Sequence, residues 1–306
     1  MHTNLTERDD DRPVLARLDL TPGAVSRAQI ELLITDLFDR GATAVEEQGT
    51  FPGAITLLSG FPNRSVARAA LASLADGLLV GSALVEVPED TWFDGWRAFA
   101  RTNRAGHHFV LHPPWLPVSA EDVRDGDVWL AIDPGRSFGS GAHATTRLVL
   151  AQLEKLVGPG MSMLDVGCGS GVLSVAAARL GADPVVAVDI DAEALRATEE
   201  NLARNAVAAT VGAELPDPAA RRERFDVVAA NIGANTLIEL APRLVALGHT
   251  LVLSGFLDQR ADEVVAAYLG LGATVVELQR EAIDGSAGDS GDDGDGWVAV
   301  TVRVAA

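Results

Sequence analysis

The segment that most restricts this chain is Met163-Leu164-Asp165-Val166-Gly167-Cys168-Gly169-Ser170-Gly171. Here an apolar run meets three alternating glycines, and an apolar helix-like stretch (Val172, Leu173, Val175, Ala176) follows at once. Glycine is needed where the backbone turns sharply, or where a ligand must approach main-chain atoms that a Cβ would shield. A helix beginning directly behind such a turn offers unpaired N–H groups. Val185 to Val188 reads as the next strand and ends in Asp189, about twenty residues on, where an acidic side chain is the usual acceptor for ribose hydroxyls. The competing role for an aspartate here, a helix N-cap, suits Asp191, which directly precedes Ala192-Glu193-Ala194-Leu195. Strand, turn, helix and acidic strand end together predict a nucleoside-cofactor site. The glycines fall as G-x-G-x-G, with Val172 where a dinucleotide fingerprint needs a small residue, so a nicotinamide dehydrogenase is disfavoured.

Around this turn, strand and helix patterns alternate. Strands are expected at 161–166, 184–189, 209–212, 225–230, 248–254, 273–280 and 297–304, and helices at about 143–157, 171–180, 192–205, 234–246 and 258–269. Such alternation implies a mostly parallel sheet covered on both faces. Asp284 to Gly296 is a Gly/Asp stretch with little to bury and reads as a solvated loop between two antiparallel strands. The first 88 residues read as a separate unit in the order βαββαβ, a ferredoxin-like α/β sandwich. Its strands are 14–20, 42–48, 54–61 and 78–87. One helix is N-capped by Ser26 and carries Ile30, Leu33, Ile34 and Leu37 on one face, with Gly41 past its end; the other runs from about Ser65 to Ala75. Between the units, residues 89–118 are rich in aromatics (Trp92, Phe93, Trp96, Phe99, Phe109, Trp115), with Trp129 close by, and read as a connector. His107, His108 and His112 lie there too. A strand would put His108 and His112 on one face and His107 on the other, and no carboxylate completes a set, so no metal site is expected.

Composition narrows the class. The formal net charge is −19 and the isoelectric point about 4.6. Both argue against a nucleic-acid surface, which needs a concentrated basic patch, and favour encounter with basic partners. No apolar run reaches the ~18 residues of a membrane span. Met1 to Arg12 shows no secretory pattern, and the one cysteine, Cys168, cannot form an internal disulfide; a reducing, cytoplasmic compartment is the expectation. Flanked by glycines and without a histidine in sequence to activate it, Cys168 reads as a small filler, not as a nucleophile.

The order Asp165, then Gly167, Gly169 and Gly171, then Asp189 resembles motifs I and II of class I S-adenosylmethionine-dependent methyltransferases. The closing pair of strands resembles their seven-stranded Rossmann-like sheet with an antiparallel last strand. Two further segments narrow the resemblance. Asp133-Pro134-Gly135-Arg136-Ser137-Phe138-Gly139-Ser140-Gly141-Ala142-His143-Ala144-Thr145-Thr146 is similar to the D-P-G-x-x-F-G-T-G-x-H-x-T-T signature of the PrmA family, which methylates ribosomal protein L-eleven. Asn231-Ile232, after the strand that ends at Ala230, matches the family's V-x-A-N-I motif. Ser140 stands in place of the usual threonine, and Gly233-Ala234-Asn235 in place of the usual Leu-Ala.

The resemblance covers roughly Trp92 to Leu269. It implies residues 1–88 as a ferredoxin-like substrate-recognition domain, 89–118 as a Trp-rich connector and 119–306 as a seven-stranded Rossmann-like class I methyltransferase domain. Carried over by position, Thr145, Thr146, Gly167, Asp189 and Asn231 would contact S-adenosyl-L-methionine, and Asp165, Gly169 and Gly171 of motif I would belong to the same cofactor-binding set. The implied reaction is N-methylation of lysine amines, with N-terminal amines as a second acceptor, on a basic ribosomal protein, with Asn231 orienting the nitrogen. No direct nucleic-acid or membrane partner is expected, and a monomer is favoured. For Thr145 and Thr146 the alternative role is helix capping. For Asn231 it is a turn residue, although ligands of open α/β sheets bind at carboxyl ends of strands. His143 reads as a cap or packed histidine ahead of a proton acceptor. Two rival functions stay open: a methyltransferase of the same lineage acting on another protein or a small metabolite, and a non-catalytic module that keeps the cofactor fold.

Overall fold

The computed structural model describes residues 14–20, 25–26, 29–30, 33–34, 36–37, 40–42, 44–49, 55–72, 74, 79–85, 101–118, 123–133, 143–220, 223–282 and 296–305. The chain divides into two compact units near residue 98. The expected loop Asp284–Gly296 lies outside the described residues except for Gly296, and residues 89–100, with Trp92, Phe93, Trp96 and Phe99, lie wholly outside them.

The N-terminal unit holds strands β1 (Val14–Leu20), β2 (Ala44–Gly49), β3 (Ile55–Phe61) and β4 (Leu79–Val85), with helix α1 (Arg64–Ala72) after β3. All pairings are antiparallel, in the order β2-β3-β1-β4, which is compatible with a βαββαβ chain. In β3 buried and half-buried residues alternate strictly, the pattern of a sheet with one face on a core. Ser26 starts a helical segment as a capping box: its Oγ accepts from the Gln29 N–H (3.2 Å), and Gln29 Oε1 accepts from the Ser26 N–H (2.9 Å). Ile30, Leu33 and Leu37 are buried in the core of this unit with Leu18, Leu57 and Phe61.

In the second unit, seven strands form one sheet: β8 (Met163–Val166), β9 (Val185–Val188), β10 (Thr210–Gly212), β11 (Phe225–Asn231), β12 (Gly248–Leu257), β13 (Ala273–Ala282) and β14 (Gly296–Val304). Their order is β10-β9-β8-β11-β12-β14-β13. The first five neighbours pair in parallel, and β14 runs antiparallel to both β12 and β13. The chain starts at β8, crosses to β9 and β10 on one side, and returns to β11 on the other. The crevice beyond the carboxyl ends of β8 and β11 is therefore the switch point where such sheets bind ligands.

Five helices cover the sheet: α2 (Ala144–Leu156), α3 (Val172–Arg179), α4 (Ala192–Arg204), α5 (Ala234–Leu247) and α6 (Ala261–Leu269). Side-chain parity assigns the faces. Met163, Val227 and Val252 pack with Leu150 and Leu153 of α2, Leu173 of α3 and Leu202 of α4. Their strand neighbours Leu164, Val228 and Leu251 pack with Leu237 and Leu244 of α5 and Val264 and Tyr268 of α6. Both faces are buried, which is why these strands read as continuous apolar runs. The expected helix over 258–269 begins at Ala261 because 258–260 form a 3-10 turn. No helix among the described residues is long and apolar enough to cross a membrane.

Residues 101–118 do more than link. β5 (Asn103–Ala105) and β6 (Phe109–His112) join β7 (Val128–Ala131) in a small sheet, and Phe109, Leu111 and Leu130 enter the α2–α4 core. His107 and His108 sit in the β5–β6 turn and not on a strand. His112 bonds to Thr102 and to the Leu116 carbonyl. The turn is held by Glu154 of α2, whose carboxylate accepts the His107, His108 and Phe109 N–H groups at 2.7, 2.7 and 3.2 Å. Gly106 (φ +59°) permits this approach, since a Cβ there would lie 2.3 Å from Glu154 Oε2. Glu154→Ala removes three charge-assisted bonds, two of them to amides of exposed residues that water can reach, and urea denaturation is expected to show a loss of about 1–2 kcal/mol, with Glu154→Gln intermediate.

Candidate active site

The glycine turn is built against β9. The Gly167 and Cys168 N–H groups both donate to the Val188 carbonyl (2.8 and 3.1 Å), and the Gly171 N–H closes the turn onto the Cys168 carbonyl (2.7 Å). Gly167, Gly169 and Gly171 have φ of +71°, +53° and +75°, the left-handed region where an L side chain is strained. Cys168 is buried and its Sγ accepts from Thr198 Oγ1 at 3.3 Å. Burial pushes the thiol up, far from a reactive range. Thr198 also donates to the Gly169 carbonyl (3.0 Å). One turn along α4, Asn201 holds the Ser170 carbonyl and both backbone groups of Asp133. Asn205 does the same for Ala131. One face of α4 thus ties the glycine turn to the start of the 133–146 segment.

Asp189 stands at the end of β9, half-buried. Its Oδ2 accepts from the Gly169 N–H (2.9 Å) and its Oδ1 from the Asp191 N–H (3.0 Å). Asp191 is the N-cap of α4, accepting from the Glu193 N–H at 2.9 Å. The N-cap role thus falls to Asp191, as its position predicts. Beside Asp189, Ile190 is 98% exposed, an apolar side chain at the rim of the crevice.

Asp165 does not line the opening. Strand parity sets it on the face of Met163, under α3, where it is fully buried and Oδ2 accepts from the Ser174 N–H (3.0 Å) and Oγ–H (2.6 Å). It is a strut between β8 and α3. Its Oδ1 has no partner among the described residues. Burial, with a smaller push from the Asp189 charge, raises its carboxyl to about 7 in spite of the two Ser174 bonds.

Across the switch point, Asn231 ends β11. Its Nδ2 donates to Thr146 Oγ1 (3.4 Å) on the first turn of α2, and its Oδ1 is left without a partner among the described residues. Thr145 and Thr146 are both buried. His143 is the N-cap of α2: its Nδ1 accepts from the Thr145 N–H (3.4 Å) and lies 2.8 Å from Thr145 Oγ1. The backbone after Asn231 is set by Gly255, at a bulge in β12. With φ of +97°, a Cβ there would lie 2.5 Å from the Ile232 carbonyl oxygen. An isolated glycine inside a strand was the available signal for that close approach. Asn235, in the first turn of α5, is exposed and accepts from Arg260 Nη2 (2.8 Å).

The structure thus brings Gly167, Gly169 and Asp189 to one lip of the crevice and Asn231, backed by Thr146, to the other, with the strand ends of β9, β8 and β11 side by side. Residues 134–142 of the signature lie outside the described residues. A doubly wound sheet of this order, with an antiparallel β14 and a glycine turn at the switch point, defines a class I methyltransferase Rossmann-like domain. The family model described as ribosomal protein L11 methyltransferase (PrmA) matches residues 43–282, and the chain belongs to that family.

Relatives named ribosomal protein L11 methyltransferase include one from Sorangium cellulosum, 35% identical over 88% of this chain and 90% of its own length. Another, from Pelotomaculum thermopropionicum, is 40% identical over 78% and 73%. For the relative from Geotalea uraniireducens, 40% identical over 64% of this chain, the match spans 66% of its length. Among solved structures, the ribosomal protein L11 methylase of Lactobacillus delbrueckii subsp. bulgaricus is similar with a TM-score of 0.57 and 26% identity, covering 67% of this chain and all of that one.

The buried Asp165 carboxyl gives a pH signature of known sign. Its folded value of about 7 lies above the unfolded ~3.9, so the folded state binds the extra proton and stability falls as pH rises through that window. Asp165→Asn keeps an acceptor for Ser174 and removes the titration. Its stability relative to the parent chain is expected to climb by about 1.4 kcal/mol per pH unit between about pH 4 and pH 7 and then level off. Parallel denaturation profiles for the two chains across this range would contradict the assignment.

Proposed function

We propose that this protein transfers a methyl group from S-adenosyl-L-methionine to amine nitrogens of ribosomal protein L11: lysine side chains first, and N-terminal amines by the same chemistry. The observation that carries this reading is the buried, unpartnered Asn231 Oδ1 at the carboxyl end of β11, the strand beside the β8 that runs into the left-handed glycine turn. The residues fit the cofactor. Gly167 and Gly169 are partly accessible main chain, Asp189 keeps carboxylate lone pairs beyond its two backbone bonds, and Ile190 offers an apolar surface to a flat base. Thr145 and Thr146 would close the side toward Asn231. When bound, S-adenosylmethionine supplies a methyl group on a sulfonium that leaves as a neutral thioether.

The chain's own part is alignment. With Nδ2 committed to Thr146, the Asn231 amide presents its oxygen, which can accept one N–H of an incoming amine and so turn the lone pair along the line of attack. An amide cannot take the proton, so the amine must arrive neutral. An amine with a free pKa of ≈ 10.4 loses its charge more easily as water is excluded. We assign residues 1–88, as a ferredoxin-like domain, to holding the substrate and 119–306 to the chemistry, with 101–118 built into the core of the second unit through β5 and β6. The charge of −19 suits a basic ribosomal protein as the substrate, since opposite charge speeds encounter.

Two measurements test the reading. Incubation with labelled S-adenosylmethionine and a lysate lacking this enzyme, followed by mass spectrometry, is expected to place label on lysines of L11; label on another protein or only on small molecules would redirect the substrate. In calorimetry, Asp189→Ala should weaken cofactor binding at least about tenfold while leaving a cooperative fold, because a charge-assisted hydrogen bond pair to a ribose is worth about 1.5–3 kcal/mol. Unchanged affinity would refute the role of that aspartate.

A further inference from the structure

The first turn of α2 carries Thr145 and Thr146, and through Thr146 it sets the Asn231 amide. It begins with a histidine cap, a residue type outside the favoured Ser, Thr, Asp and Asn. Two contacts from the far end of the sequence hold this turn. The His143 ring packs edge-on against Trp297, with centroids 4.6 Å apart and planes at 69°. One helical turn on, Arg147 pairs with Glu281, Nε to Oε1 at 3.0 Å. Trp297 and Glu281 are direct cross-strand partners in the β13–β14 pair. Trp297 also faces Leu257 of β12, beyond the Ser254 that pairs with Asn231, so all these groups gather at the carboxyl edge of the sheet. Trp297 is 5% exposed, and the ion pair is about two-thirds covered, with side-chain exposures of 27% and 32%.

We propose that the end of the β13–β14 pair is a positioning clamp. Trp297 and Glu281, side by side, grip His143 and Arg147, one turn apart, and so fix the helix turn whose Thr146 orients Asn231. These four are positioning residues and touch no reacting atom. The clamp rests on the proposed role of Asn231, and it explains why the cap is an aromatic ring: asparagine would satisfy the Thr145 N–H equally well but would offer Trp297 no ring to pack against.

The test uses the full chain. Glu281→Gln, at a partly exposed site, is expected to fold. Hydrogen exchange of the amides over 143–149, read by mass spectrometry, should speed up at least about fivefold. Turnover toward a lysine amine should fall about tenfold with the KM for that acceptor within about twofold, since misplacement acts on alignment and not on ground-state binding. Arg147→Met should do the same, and the double variant no more than either alone. Trp297→Leu should match these losses, whereas Trp297→Phe, which keeps an aromatic face, should recover most of the parent turnover. A folded Glu281→Gln chain with parental exchange over 143–149, or with parental turnover, would overturn the clamp. If the parent chain neither bound nor used S-adenosylmethionine, the proposed function would fall instead, and the exchange measurement would still decide whether Glu281 and Trp297 hold α2.

Discussion

At the end of β8 the chain passes through three left-handed residues within five positions, and the whole carboxyl edge hangs on that turn being held. A run of such residues is costly for the unfolded chain to order, because glycine gives up more backbone freedom than any other residue. The cost is offset by a dense set of bonds from β9 and α4: two amides on one Val188 carbonyl, the Gly169 amide on Asp189, and the Thr198 hydroxyl on the Gly169 carbonyl. Asp189 is therefore both a wall of the crevice and a support of its floor. Its two backbone bonds fix the orientation of the carboxylate, which is the preorganisation that its proposed role toward a ribose needs.

Asp165 shows the opposing side of this arrangement. A carboxyl group fully out of water beneath the turn, with one oxygen lacking a partner among the described residues, opposes stability at neutral pH. Its other oxygen locks Ser174, and hence the start of α3, to β8. The turn is thereby pinned from below by Asp165, from the side by α4 and from the next strand by β9. Buried polar groups of this kind are accepted where a unique backbone geometry matters more than maximal stability.

The opposite lip is assembled differently. Asn231 lies on a central strand, yet its surroundings come from distant parts of the chain: Thr146 from α2 and Gly255 from a bulge in β12. Ser254, one residue before that glycine, accepts the Ile232 N–H and gives its hydroxyl to the Val298 carbonyl. The antiparallel insertion of β14 between β12 and β13 brings the last strand into this region, so residues near the end of the sequence adjoin those that precede β8.

Much of this was legible in the residues alone, and the reason is local physics. Periods of two and 3.6, glycine at left-handed positions and Asp or Ser before a helix are settled by the nearest few residues. The order of strands and helices, the Ser26 and Asp191 caps and the glycine turn could therefore be read directly. The direction of a strand side chain relative to layers not yet placed could not: that Asp165 lies buried under α3 follows only from its parity within the assembled sheet. The β5–β6 strands hid in an aromatic segment that resembled a connector, because their core partners lie on α2 and β7. The pairing of Glu281 with Trp297, and that of Trp297 with His143 more than 150 residues before it, depend on the register of β14 against both neighbours. The sequence by itself determined the elements of the seven-stranded sheet, their order and a set of candidate residues at its carboxyl edge. Only the tertiary structure decided which of those residues face the crevice and which hold it in shape, because facing is set by register and packing between strands that no local pattern encodes.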